Sequence, residues 1–262
     1  MIKAMTDAAT DGVTEGMTTA PIVVPTAAMT DRPACALVAD ELDVLAELVP
    51  IDGRDIVELG CGAARLARAL LARHPGSRVT GLEVDERQHA RNLAAPQPGL
   101  QFVAGGAEAI PLPDASFDVA LMLKSLHHVP LPLLAQALAE VGRVLRPRGW
   151  LYVSEPVYGG ALNELTRRYN DERVVRAAAQ AALDAAIAAG TWEQVAERRF
   201  EMAAHFRDFA DFEQRMMRPS WAEHRIDEAK LAEVRAAFAP HQQADGARFT
   251  RALHVRVLRR RD

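Results

Sequence analysis

The chain has 262 residues, room for one domain with additions, and about half of them are apolar, so composition supports a large core. A net charge of −4 with both signs interspersed gives no electrostatic case for a nucleic-acid partner or a membrane surface. The two cysteines, Cys35 and Cys61, have no paired spacing, which excludes a disulfide framework and a cysteine zinc site and suits a reducing cytosol.

Residues 1–31 are rich in Thr, Ala, Asp and Met and lack the basic start and apolar core of a signal peptide, so a disordered leader is expected there. No apolar run approaches the roughly 18–20 residues of a transmembrane helix, and no membrane insertion is expected. Between Pro33 and Leu48, Leu37, Val38, Leu42, Leu45 and Leu48 recur at helical spacing. Pro50, Asp52 and Gly53 break that pattern, and 54–59 reads as a short buried strand. A helix over 63–73, a strand at 78–83, a helix over 86–94 and a strand at 100–104 follow.

A turn-rich segment, Ile110-Pro111-Leu112-Pro113-Asp114, precedes a strand at 117–123, a helix at 131–145 and a strand at 150–154. Strands alternating with helices of these lengths imply a parallel sheet covered on both faces. Residues 161–189 are Ala-rich and read as helical. Asp208 and Asp227 are placed to cap helices over 209–217 and 228–238. Residues 199–207 and 248–258 alternate in polarity and predict two late strands, giving the sheet an antiparallel edge.

The stretch VELGCGAARL, residues 57–66, joins the first of these buried strands to a helix through a Gly-x-Gly turn. Such a turn lets backbone approach a nucleotide-type ligand closely. The dinucleotide fingerprint wants a third glycine where Arg65 stands, and Glu58 would repel a pyrophosphate while attracting an ammonium or sulfonium group. About 20 residues on, Glu83 closes the second strand, where a carboxylate can accept both ribose hydroxyls; Asp85 reads as a helix cap.

From Asp55 to Pro156 the chain resembles the class I S-adenosylmethionine-dependent methyltransferases, in particular the small-molecule branch of the ubiquinone- and menaquinone-biosynthesis type. Besides VELGCGAARLA, the resemblance rests on Gly105-Gly106-Ala107-Glu108-Ala109-Ile110-Pro111-Leu112-Pro113-Asp114 with Ser116-Phe117-Asp118, on Leu126-His127-His128-Val129 and on Arg143-Val144-Leu145-Arg146-Pro147-Arg148-Gly149. It implies an α/β fold. The sheet would be Rossmann-like, doubly wound, seven-stranded and mostly parallel, with an antiparallel C-terminal edge strand and a helical lid inserted after strand five. The methyltransferase domain would span 32–262, with 55–156 the cofactor-binding core and 157–197 the lid.

The resemblance also implies S-adenosyl-L-methionine as cofactor and a small molecule as methyl acceptor. Glu58, Gly60 and Gly62 would surround the methionine part with the Cys61 backbone beside them. Glu83 would hold the ribose, Val84 would pack on the adenine, and Gly106, Ala107 and Glu108 would border the adenine edge. Lys124 would reach the cofactor carboxylate or an anionic substrate. Gly106 stands where the family usually has an aspartate that accepts the adenine amino group.

In-line methyl transfer needs alignment above all, and a base only for a nucleophile that keeps its proton. The candidates for that base are His127 and His128, with Glu155, Tyr158 and His205 weaker. Adjacent histidines do not readily share one ion from a regular element, so no metal site is expected. Two rival readings are a non-catalytic cofactor-binding protein of the same fold and a nicotinamide-dependent oxidoreductase. Arg65 and Glu58 speak against the second.

Overall fold

The computed structural model describes residues 35–218 and 226–262. Chain order begins with β1 (Leu37–Val38), α1 (Glu41–Leu48), β2 (Asp55–Leu59), α2 (Arg65–Arg73), β3 (Arg78–Glu83), α3 (Glu86–Leu93), β4 (Leu100–Ala104) and β5 (Phe117–Leu123). It continues with α4 (Leu134–Val144), β6 (Leu145–Pro156), α5 (Ala161–Thr166), α6 (Arg173–Ala188), β7 (Trp192–Phe206), α7 (Phe209–Phe212), α8 (Glu228–Phe238), β8 (Gln242–Gln243) and β9 (Gly246–Arg260).

The strands form one sheet in the order β1-β7-β9-β6-β5-β2-β3-β4, with β8 paired to β9. β2, β3, β4, β5 and β6 run parallel, and β9 is antiparallel to both of its long neighbours, β6 and β7. The seven expected strands are all present, and the two-residue β1 and β8 are additions. The C-terminal strand β9 lies two places in from the margin, because β7, with β1 beyond it, pairs along its outer side.

The central strands are buried on both faces, which is why DIVEL and FDVALML read as near-continuous apolar runs. One face packs Val57, Leu59, Ala120 and Met122 against α4 and α6, and the other packs Ile56, Val119 and Leu121 against α1 and α2. Chain order runs outward from β2 in one direction and from β5 in the other. The carboxyl ends of β2 and β5 therefore flank the crevice where such sheets bind ligands.

Three expectations change. The first helix begins at Glu41, because Asp40 caps it by accepting from Leu42 N at 2.9 Å, while Leu37 and Val38 pair with β7. The 161–189 helix is two helices, and α6 is anchored in the core, with Ala179 and Leu183 fully buried beside α4. The small Ala179 lets the helix backbone come close. Residues 192–197 of the expected lid belong to β7. The expected caps Asp208 and Asp227 do cap, accepting from Asp211 N and Lys230 N. Five phenylalanines, Phe206, Phe209, Phe212, Phe238 and Phe249, join α5, α7 and α8 into a third apolar cluster. The expected leader, residues 1–31, lies outside the described residues.

Candidate active site

The turn after β2 is built from left-handed backbone. Gly60 has φ +71°, Gly62 +52° and Ala64 +53°, and only glycine takes such angles without strain. Gly60 also has a packing reason, since a Cβ there would stand 2.8 Å from Ser125 Cβ. Gly60→Ala should therefore lower stability by about 1–3 kcal/mol, read from the denaturation midpoint; an unchanged midpoint would show that the turn is not held this way.

Glu83 ties the turn to the next strand. Its Oε2 accepts from Gly62 N at 2.7 Å and its Oε1 from Asp85 N at 2.9 Å. A carboxylate has about four acceptor positions, so each oxygen keeps one for a neighbouring pair of hydroxyls. Asn92, which sequence reasoning passed over, donates to Gly62 O at 2.8 Å and pins the turn from below. Cys61 is buried, and burial beside Glu58 and Glu83 raises its thiol, so it stays protonated and packs.

Glu58 is 5% exposed, and its Oε2 has no hydrogen-bond partner. Burial pushes its pKa up to about 8, with Glu41 and Glu83 adding to the rise and Lys124 opposing it. Such a group holds its proton at neutral pH until a cation arrives. Lys124, at φ +58°, is already paired with Glu41, an α1 residue that no sequence motif marks.

Just past β3, Val84 is 68% exposed, an apolar side chain open to a ring stacked on it. Ala107 is buried in the core, so only its backbone can border a ligand. A Cβ at Gly106 would fall 2.6 Å from the Glu108 carboxyl carbon. Glu108 thus occupies the space in which an aspartate side chain at 106 would begin, and an acid is present there after all.

The histidines follow β5 in a turn of 3-10 helix, Leu126–His128. His127 is buried, and its Nδ1 bonds to Glu155 Oε2; Glu155 Oε1 accepts from Leu126 N at 3.0 Å. With Nδ1 so engaged, Nε2 faces Glu172 Oε2 at 3.9 Å. His128 lies against His127, their ring centroids 4.1 Å apart; burial, then the His127 charge, lowers it to about 4, so it is neutral at pH 7. Glu172 stands at the start of α6 and is paired with Arg176. Burial alone would raise it, but Arg176 and His127 together hold it below its ordinary value.

The fold brings Glu172 up to the adjacent histidines, and the three offer ligand atoms all within 4.8 Å of one another. The Arg176 bond to Glu172 already accounts for that carboxylate without an ion, and the group is equally suited to holding a proton.

These side chains line a cavity of about 270 Å³ that also touches Lys124, Leu162, Asn163, Tyr169, Met216 and Arg251. A second hollow, about 340 Å³ and lined by Asp55, Arg78 and Gly99 among others, contains no histidine or cysteine. His205 is directed elsewhere, its Nε2 contacting Asp245 O at 2.8 Å. Arg167 and Arg168 pair with Glu164 and Glu233 on exposed surface.

Residues 57–153 match the profile of a family described as a methyltransferase domain. The chain is 36% identical over 149 residues to phthiotriol/phenolphthiotriol dimycocerosates methyltransferase 1 of Mycobacterium ulcerans, covering 49% of this chain and 51% of that protein. It is 34% identical over 112 residues to a fatty-acid O-methyltransferase of Mycolicibacterium smegmatis, covering 40% and 38%. The chain thus spans about half or less of the length of these curated relatives. A crystal structure of an S-adenosylmethionine-dependent methyltransferase from Methanosarcina mazei superposes with a TM-score of 0.53 at 16% identity, covering 83% of this chain and 97% of that one. Among the described residues no helix is long and apolar enough to cross a membrane. The motifs and the profile match agree on a methyltransferase domain over residues 57–153, and the sheet has the fold of the Methanosarcina mazei structure.

Proposed function

We propose that the protein transfers a methyl group to a small-molecule acceptor seated in the cavity beside His127. One observation supports the cofactor seat most directly: a buried carboxylate with an unpartnered oxygen, Glu58, stands at the mouth of a Gly-x-Gly turn. A cationic amino-acid nucleoside supplies the partner that this oxygen lacks. Glu58, Gly60, Gly62 and the Cys61 backbone would take the methionine part, and Glu83 the ribose. Val84, Gly106, the Ala107 backbone and Glu108 would face the adenine, Glu108 substituting for the missing aspartate as acceptor from the amino group. Lys124 is held by Glu41 at the edge of this seat and tempers the charge around Glu58.

When bound, the cofactor supplies an electrophilic methyl on sulfonium. His127 is placed to take the acceptor's proton at Nε2, because Glu155 holds Nδ1–H and stabilises the imidazolium that results. His128 stays neutral beside it and narrows the cavity. The name of one curated relative, a fatty-acid O-methyltransferase, supports an acceptor of partly apolar character. The buried, unpaired Cys61 and the mixed surface charge support a cytoplasmic protein without a nucleic-acid partner.

Calorimetry with S-adenosylmethionine, S-adenosylhomocysteine and NAD tests the reading. Both adenosyl compounds should bind and NAD should not; binding of NAD alone, or of neither adenosyl compound, would refute it. Glu83→Ala should weaken S-adenosylhomocysteine by about tenfold or more, two hydrogen bonds being lost. Unchanged affinity would move the ribose elsewhere.

A further inference from the structure

Among the described residues, Arg251 is the one lysine or arginine of the cavity that makes no ion pair. It lies on β9 just past the last pair that β9 makes with β6, Pro156 with Leu253, and faces the cavity of His127, Tyr169 and Met216. Among the described residues its guanidinium makes no ion pair and donates only to Met216 Sδ, 3.8 Å away. A thioether is a weak acceptor, and a guanidinium carries five donors in a fixed fork. The other cations of the cavity are committed. Arg176 binds Glu172 and Asn163 Oδ1, Arg215 binds Asp211 and lies over the Phe206 ring, and Lys124 binds Glu41. Burial, then Arg176, pulls Arg251 below its ordinary value, and Glu172, which is bonded to Arg176, opposes this only in part.

Resting on the methyltransferase reading, we infer that Arg251 seats a carboxylate of the acceptor, which fixes the substrate class as a carboxylic acid on a partly apolar frame. The fork geometry matches a carboxylate bidentately. Glu172 lines the same cavity and disfavours a dianion such as a phosphate monoester. Leu162, Val157, Pro156 and Met216 supply apolar walls for the frame. The carboxylate is a handle: it holds the acceptor while a separate hydroxyl or amine meets His127, which lines the same cavity.

The test is calorimetry of octanoate and of its uncharged isostere octanamide, with the protein first saturated with S-adenosylhomocysteine. Saturation is titrated separately, so that failure of the cofactor reading is seen on its own. Octanoate should bind at least tenfold more tightly than octanamide. Arg251→Met should abolish that preference and leave S-adenosylhomocysteine affinity and the melting temperature unchanged, while Arg251→Lys should restore part of it. Equal binding of acid and amide, no octanoate binding to the loaded protein, or a preference that survives Arg251→Met would each overturn the inference. So would a preference lost in Arg215→Met but not in Arg251→Met.

Discussion

Replacing Glu58 by glutamine should weaken S-adenosylhomocysteine and S-adenosylmethionine binding by about 100-fold, the effect of removing one partner from a buried charge pair worth roughly 3 kcal/mol. The ammonium is common to both ligands, so both should weaken together; a loss confined to S-adenosylmethionine would place Glu58 on the sulfonium instead. The same substitution should stabilise the protein without ligand. Glu58 is raised to about 8 in the folded state, so the unfolded chain binds fewer protons over the interval up to that value. Its contribution to stability is therefore fully present below the ordinary carboxylate range and is lost as pH rises through about 8. Glutamine has no proton to lose, and the ligand-free variant should melt above wild type by a margin that grows with pH.

Ligand affinity carries the opposite sign. A cation favours the ionised carboxylate, so wild-type affinity should rise with pH, by up to about tenfold per unit, and level off above the Glu58 value. The variant should show no such rise. A flat wild-type profile, or an unchanged affinity in the variant, would remove Glu58 from the cofactor seat.

The second large effect concerns His127. His127→Asn should lower kcat by about 10²–10⁴ for any acceptor that must shed a proton, the usual contribution of a positioned base. Glu155→Gln keeps an acceptor for Leu126 N but not the charge behind Nδ1, and it should lower kcat by a smaller factor. Neither change should move S-adenosylhomocysteine affinity, because both residues lie on the acceptor side. A kcat insensitive to His127→Asn would mean that the acceptor arrives already deprotonated.

The cofactor half of this site was legible in sequence because its parts are local. Glu58, Gly60 and Gly62 share one strand and its turn, and Glu83 ends the next strand, whose register with β2 the parallel sheet imposes. Helix caps at Asp85, Asp208 and Asp227 were equally readable, since a side chain that reaches two or three residues along needs no tertiary partner. The acceptor half was read poorly. His127 was visible as a motif residue, but its pairing with Glu155 depends on β5 and β6 lying side by side. Glu172 entered only because the 161–189 segment breaks into two helices, and Glu108 filled the Gly106 gap only through a backbone turn.

The sequence by itself determined the strand–turn–helix with its Gly-x-Gly turn, the acids proposed to select a cationic nucleoside, and the places along the chain of the seven main strands through apolar runs and alternation. These follow from backbone sterics and short-range pairing, which are written in neighbouring residues. The tertiary structure alone decided which charges are answered. Glu41 reaches Lys124, Arg176 reaches Glu172, and Arg251 reaches only a thioether, because ionic pairing depends on distances between elements far apart in the chain.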